Sequence, residues 1–329
     1  MKANLTIVIP TKNRHQYVKE QINFYKKKKF TGVLLYLDSS DACHSYSGDE
    51  SVGLIVKHIR AFGLPHQVIK NNLELIETEF CVFSGDDDYF YPETAFEVVK
   101  FLSKNPDFTG ASSSSYIFSV EKSGNFWGLN QYPMLESHFD LAQDRLLAML
   151  NNYAVPFFSI VRSKTFKDSF SQIYDDDSEV KIPRVFNDEL LASCLMVLSG
   201  KFSKQSLGLY LVRLDHEDRN SLDGHSVTEL EINNFSEIVC QHIKSDKLKI
   251  DPHFRLQINH CLKKFFQLEK SDSGPHYSKY FLEMTKKILA KIAPKLFFKY
   301  LLFRLNKNND FTYGKKLNIQ LSDVFKALT

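Results

Sequence analysis

Residues Phe80 to Pro92 read FCVFSGDDDYFYP. Four apolar residues, Phe80 to Phe83, end at Ser84-Gly85, and three carboxylates follow at once: Asp86, Asp87 and Asp88. A short apolar run bounded by turn residues suits a buried strand. Gly85 allows a sharp turn, and Pro92 suits the first turn of a helix. Open α/β sheets take their ligands outside the carboxyl ends of the strands, which is where these acids fall. Adjacent like charges repel, so solvent or a bound cation has to compensate them. Hard cations take oxygen ligands, and Mg2+ commonly joins one or two carboxylates to substrate phosphates. A solvated surface turn is the plainer reading of an acid run, and the rest of the chain decides between the two.

Upstream lie two more apolar, β-rich runs, Leu5 to Ile9 and Val33 to Leu37, which read as central parallel strands. The first ends in Pro10-Thr11-Lys12-Asn13-Arg14 and the second in Asp38-Ser39-Ser40-Asp41. Between them a mostly polar stretch with Tyr17, Ile22 and Phe24 reads as a helix that runs into four lysines, Lys26 to Lys29. The spacing of Val52, Leu54, Ile55 and Ile59 predicts a helix over 51–61, stopped by Gly63-Leu64-Pro65. A third strand over 66–69 and a short helix over 73–76 follow. Phe80 to Phe83 is then the fourth strand, and a helix runs from Pro92 to about Ser103. Strands alternating with helices predict βαβ units and an α/β fold with a mostly parallel central sheet. Thr11, Arg14, Asp38 and Asp86 to Asp88 then converge on one edge of that sheet.

Downstream, 107–118 reads as a strand with a serine run, 127–138 as a loop, 140–151 as a helix and 155–161 as a strand. The acid run at Asp175 to Asp177 follows no apolar strand and reads as a polar loop rather than a metal site. Asn187-Asp188-Glu189 precedes an apolar helix over 190–198, with Asn187 as its N-cap and the acids matched to the helix dipole. A strand over 207–214 leads into Asp215-His216. From about 233 onward the pattern is helical. This divides the chain into a catalytic α/β domain, 1–232, and a helical C-terminal domain, 233–329. The stretch 277–305 is basic and amphipathic. It either packs on the catalytic domain or makes peripheral contact with an anionic membrane face. Apolar residues on nearly all its sides favour packing.

The totals bound the remaining classes. Of 329 residues, 43% are apolar, enough for a sizeable core. A net charge of +3 from 42 basic and 39 acidic residues is too balanced to point to nucleic acid. The five cysteines are scattered and form no CxxC pair, which fits a reducing cytoplasm and neither a zinc site nor a disulfide framework. The opening apolar run is too short for a signal peptide, and no run reaches the roughly 18 apolar residues of a spanning helix.

Four stretches together carry a resemblance: TIVIPTKNR, YLDSSD, FSGDDDYFYP and NDELLASCLMVLSGK. They resemble the motifs of the nucleotide-sugar glycosyltransferases of the GT-A fold, most closely the inverting family 2, over about residues 4–220. The resemblance implies Mn2+ or Mg2+ held by Asp87 with Asp86 or Asp88, and His216 as a further metal or phosphate ligand. It implies that Pro10, Thr11, Arg14, Asp38, Ser39, Gly85 and Asp86 contact the donor, with Asp38 accepting from a base imide, which favours a UDP-sugar. It makes Asp188 the catalytic base, with Glu189 as the alternative. The acceptor implied is a hydroxyl of a growing surface glycan or lipid-linked glycan, as in lipopolysaccharide or capsule, at the inner face of the cell membrane. The chain departs from the pattern in three places. No Gly-rich, Asn-containing stretch follows Lys70, Gly85 stands where the first acid is common, and Asn187-Asp188 stands where Glu-Asp is usual. Two rival readings are a nucleotidyltransferase of similar fold and a catalytically silent binding or scaffold protein. The first normally has a Gly-rich basic loop after strand one, and Pro10 to Arg14 contains no glycine.

Overall fold

The apolar runs flanking the acid stretch assemble into one sheet. A computed structural model describes residues 4–42, 44–120, 126–152, 154, 156–175, 183, 186–216, 227–244, 253–266, 298, 301 and 321. The strands are β1 (Leu5–Thr11), β2 (Gly32–Asp38), β3 (Leu54–Arg60), β4 (Phe80–Phe83), β5 (Tyr89–Phe90), β6 (Phe108–Val120), β7 (Phe126–Tyr132), β8 (Ile160–Arg162) and β9 (Lys201–His216). The helices are α1 (His15–Lys27), α2 (Pro65–Lys70), α3 (Pro92–Lys104), α4 (Ala142–Asn152), α5 (Ser163–Ser171), α6 (Leu191–Ser199), α7 (Glu229–Lys244) and α8 (Phe254–Phe265).

The sheet order is β3-β2-β1-β4-β8-β6-β9-β5, with β7 on the side of β6. Its first half, β3-β2-β1-β4, is parallel throughout. β8 runs antiparallel to both β4 and β6, and β9 lies parallel to β6. The two central strands β1 and β2 are buried along nearly their whole length, as their unbroken apolar runs require.

Two upstream elements exchange identity relative to the sequence reading. The expected helix over 51–61 is strand β3, paired residue for residue with β2 from Gly32–Leu54 to Asp38–Arg60. Ile55, Val56 and Ile59 are β-branched and stiff at χ1, which suits a strand, and the pairing outweighs a helical spacing of four apolar residues. The expected strand over 66–69 is helix α2, which buries His66, Val68 and Ile69. Pro65 does not stop a helix; it opens this one, where its missing N–H costs nothing and its fixed φ is already helical.

Downstream, the loop expected over 127–138 contains β7, paired with β6. The strand expected over 155–161 is a short 3₁₀ turn, Pro156–Phe158, followed by β8. The serine run of β6 has a structural use. The Ser113 hydroxyl donates to the carbonyls of Gln205 (2.8 Å) and Gly208 (3.1 Å) and accepts from the Leu207 N–H at 3.1 Å. It supplies side-chain bonds where the β6–β9 register shifts near Ser112 to Ser115.

Helix α6 is apolar on nearly all sides and sits inside the core. Helices α7 and α8 pack against each other and against α6 and α4. Phe235, Val239, Phe254 and Ile258 belong to the same continuous core as Ile7, Leu35 and Val82. Most of 277–305 lies outside the described residues. Phe298 and Leu301 are buried in a second cluster with Tyr116 and Phe118. Among the described residues no helix is long and apolar enough to cross a membrane.

Candidate active site

β1 lies between β2 and β4, with Thr11 opposite Asp38 on one side and Val8 opposite Phe83 on the other. The chain leaves β1 for β2 and β3, then returns to β4 across β1. The crevice between β1 and β4 is therefore the point where strand order reverses, and open α/β sheets take ligands there. The turn Ser84 to Asp88 emerges at this point, tied down by the Ser84 N–H to the Val8 carbonyl at 2.9 Å. Gln21 of α1 donates to the carbonyls of Gly85 (2.9 Å) and Asp88 (2.6 Å), and the Tyr36 hydroxyl orients Gln21 from behind at 2.8 Å. A Cβ at Gly85 would lie 2.9 Å from an Asp88 carboxylate oxygen and 3.0 Å from one of Asp87. The turn folds its acids back over residue 85 and leaves it no side chain.

Asp86, Asp87 and Asp88 are 3%, 2% and 0% exposed, so this is not a solvated turn. Two arginines and a threonine hold them. The Thr11 hydroxyl donates to Asp86 Oδ2 at 2.6 Å. Arg14 donates through Nη1 to Asp86 Oδ1 at 2.6 Å and through Nη2 to Asp87 Oδ2 at 2.7 Å. Arg213 of β9 donates through Nε to both oxygens of Asp88 at 3.3 Å. The antiparallel pairing of β5 with β9, Tyr89 opposite Val212, brings Arg213 beside Asp88. The Arg213 guanidinium stacks on Phe158 at 4.1 Å and Tyr132 at 4.8 Å. Burial pushes Asp86 up to about 6; Arg14 and Thr11 oppose that rise, while Asp87 and Asp88 add to it. Burial works against the Arg213 cation, but Asp88, with Tyr132 and Glu189, more than compensates and its pKa is raised.

These groups line a cleft of about 510 Å³ together with Phe83, Phe157, Phe158 and His66. Glu189 lines the same cleft. It comes from a π-wound turn, Phe186–Leu190, that leads into α6. Its charge acts on both Arg213 and Tyr132. Asp188 lies in that turn, but its side chain falls outside the described residues, as does that of His216 at the end of β9. Asn187 is not the N-cap expected of it. It is buried, and its amide clamps the backbone of Tyr174, accepting from N–H at 3.1 Å and donating to C=O at 2.8 Å. Asp175 pairs with Lys70 at 2.8 Å; Asp176 and Asp177 lie outside the described residues.

Pro10, Thr11, Arg14, Ser39 and Gly85 line the cleft with the three acids. Asp38 stands beside it with its carboxylate already engaged: Oδ1 accepts from the Ser40 N–H at 2.8 Å, and Oδ2 bonds His58 Nε2 at 2.9 Å. Burial would raise the Asp38 pKa, but these bonds hold it below the ordinary value.

No protein-family model and no curated protein sequence matches the chain. Solved structures do. The S. aureus TarS 1-349 structure in complex with UDP-GlcNAc superposes with a TM-score of 0.51 at 17% identity, covering 99% of this chain and 90% of that one. The chain has the GT-A fold. A longer S. aureus TarS chain superposes at 0.49 and 17% identity, with 99% of this chain covering 54% of that one, so this chain spans about half its length. A mannosyltransferase from Pyrobaculum calidifontis, in complex with GDP-Man and Mn2+, gives 0.40 at 11% identity, covering 97% of this chain and 87% of that one.

Within the GT-A fold, the β1, β2 and β4 ends meet as the sequence spacing predicts. Three contributors were not foreseen. Arg213 sits in the otherwise apolar stretch 207–214 of β9, and an arginine in such a run needs a buried partner. Gln21 is fully buried in a polar-looking helix. His58 reaches Asp38 only because 54–60 is a strand. As a cation site, the described residues form no cage of three or more His, Cys, Asp or Glu. Three buried carboxylates against two guanidiniums nevertheless leave a net negative charge. That donor set fits a hard cation completed by phosphate and water rather than by protein alone.

Proposed function

We propose that the chain transfers a sugar from a nucleoside-diphosphate sugar to an acceptor hydroxyl with inversion at the anomeric carbon. The observation that carries this is the buried trio Asp86 to Asp88 with Arg14 and Arg213, at the strand-order reversal, on one cleft with Glu189. Asp87 with Asp86 or Asp88 would hold Mn2+ or Mg2+. A divalent cation there supplies Lewis-acid neutralisation of the charge that develops on the leaving diphosphate. Arg14 and Arg213 add fixed positive charge, and guanidinium groups match phosphate oxygens in pairs. Glu189 takes the acceptor proton as the acceptor oxygen bonds to the anomeric carbon. The bond from that carbon to the diphosphate oxygen breaks, and its electron pair leaves with the nucleotide. The phenyl wall of Phe83, Phe157 and Phe158 limits water, which would otherwise hydrolyse the donor.

The turn offers two candidate bases, Asp188, the first choice of the sequence reading, and Glu189, its alternative; Glu189, which lines the cleft, is taken first, and Asp188 is tested beside it. With Asp38 bound to His58 and Ser40, the nucleobase edge is read by other groups or after Asp38 is released. UDP-GlcNAc, the ligand of S. aureus TarS, is the first donor to test. A surface or lipid-linked glycan acceptor and a cytoplasmic location complete the proposal, the latter supported by four buried free cysteines among the described residues.

The test is nucleoside-diphosphate release from a set of nucleotide sugars with Mn2+. Release depends on metal, EDTA abolishes it, and Asp87→Ala lowers it by at least about 100-fold, the scale of removing one electrostatic stabiliser. Release at full rate in Asp87→Ala, or in EDTA, removes the metal site from the mechanism.

A further inference from the structure

Two arginines bind the acid trio, but they are held differently. Arg213 is 12% exposed at its side chain and wedged between Phe158 and Tyr132. Arg14 is 35% exposed and touches one ring, Tyr17, at 4.1 Å. It precedes α1 at the rim of the cleft, and its two terminal nitrogens span two different carboxylates, Asp86 and Asp87. A cation held by these carboxylates would compete with Arg14 for Asp86 Oδ1 and Asp87 Oδ2. A guanidinium does not lose its proton to make way, so it has to move. Of the two arginines, Arg14 is the more exposed and is not wedged between two rings.

We infer that Arg14 is the resident counter-ion of Asp86 and Asp87, and that the divalent cation and donor diphosphate together displace it from the carboxylates onto the phosphates. This rests on the metal–diphosphate reading above and adds an exchange step to it. Arg14 is a positioning residue: it holds two buried carboxylates in place before the donor arrives. Metal alone competes with Arg14 and leaves the guanidinium without an anionic partner. Nucleoside diphosphate gives it one, so metal and nucleotide bind cooperatively, each strengthening the other by the same factor. Arg213 keeps Asp88 in position throughout.

The experiment is titration of Mn2+ into the full chain, with free Mn2+ read by electron paramagnetic resonance, with and without UDP. Wild type, Arg14→Gln and Arg14→Lys are compared after their melting curves are recorded. In wild type, Mn2+ alone binds weakly, and UDP tightens it by at least about tenfold. Arg14→Gln binds Mn2+ alone at least about tenfold more tightly than wild type and gains several-fold less from UDP. Its melting temperature rises more with Mn2+ than that of wild type, because metal replaces the missing counter-ion. Arg14→Lys, which keeps one charge but spans only one carboxylate, falls between the two and carries the test if the glutamine variant does not fold. Equal Mn2+ affinity of wild type and the Arg14 variants without UDP overturns the counter-ion role while leaving the metal site intact. Absence of Mn2+ binding in every variant with UDP present overturns the metal reading itself, and the exchange with it.

Discussion

Glu189→Gln lowers sugar transfer by about 10²- to 10⁴-fold, the usual contribution of a positioned general base. Nucleotide binding and melting temperature stay close to wild type. The substitution keeps the size and shape of the side chain and removes its charge and its capacity to take a proton. Glu189 lines the cleft from the turn before α6, and its charge acts on Arg213. That puts a carboxylate able to accept a proton on the same cleft as the acid trio. Saturating-donor kinetics separate this role from binding: kcat falls while the donor KM holds, as expected for an interaction made only in the transition state. Asp188→Asn is the paired control, with kcat within a few-fold of wild type. If Asp188→Asn removes transfer and Glu189→Gln does not, the base is the preceding residue.

Arg145→Met lowers stability by about 3–5 kcal/mol, the cost of stripping a buried charged donor from its acceptors. Arg145 is 6% exposed and bonds only main-chain carbonyls. Nε donates to Val197 at 2.9 Å and Nη2 to Leu198 at 2.8 Å. Nη1 donates to Phe139 at 3.0 Å and Asp140 at 2.7 Å. Val197 and Leu198 are in the last turn of α6, whose final carbonyls have no partner within the helix. A cation there also matches the negative end of the helix dipole. Burial lowers the Arg145 pKa, with Asp140 opposing it, yet a guanidinium stays charged. Methionine fills the space of the stem and leaves the carbonyls unsatisfied. At about 2–4 °C per kcal/mol for a chain of this size, the melting temperature drops by roughly 10 °C. Transfer measured well below that temperature is unchanged. A loss under about 1 kcal/mol by denaturant titration contradicts the capping role.

How far the sequence carried depended on the kind of signal. LTIVI, the run from Val33 to Leu37 and the run from Phe80 to Phe83 are apolar on both faces, so only a central strand position accommodates them. The polar residues at their ends were bound to converge, and Thr11, Arg14 and Asp86 to Asp88 are found together. Less legible was the edge. Residues 54–60 face solvent in part, so their apolar spacing was as compatible with a helix as with a strand. Reading that edge strand as a helix also hid His58, which pairs with Asp38 from β3, and so made Asp38 look available to a ligand. Pro65 illustrates a sign that reads both ways, since proline ends one helix and begins another. Arg213 was legible in principle, as a charge inside a strand of apolar residues. Its partner could be named only once β9 was known to lie beside β5. The choice between Asp188 and Glu189 depends on how a π-wound turn aims successive side chains, which spacing along the chain does not encode.

Whether the carboxylate cleft is a nucleotide-sugar site is tested most directly by thermal stabilisation. Wild type and the double variant Asp87→Ala/Asp88→Ala are melted with a panel of nucleotide sugars, beginning with UDP-GlcNAc, in the presence of Mn2+. A ligand at 100 times its Kd adds about 2.7 kcal/mol, which for this chain is a rise of roughly 5–10 °C. At least one donor gives that rise in wild type, and the double variant shows none of it. No shift with any donor, or the same shift in both proteins, would show that Asp86 to Asp88 do not form a donor site.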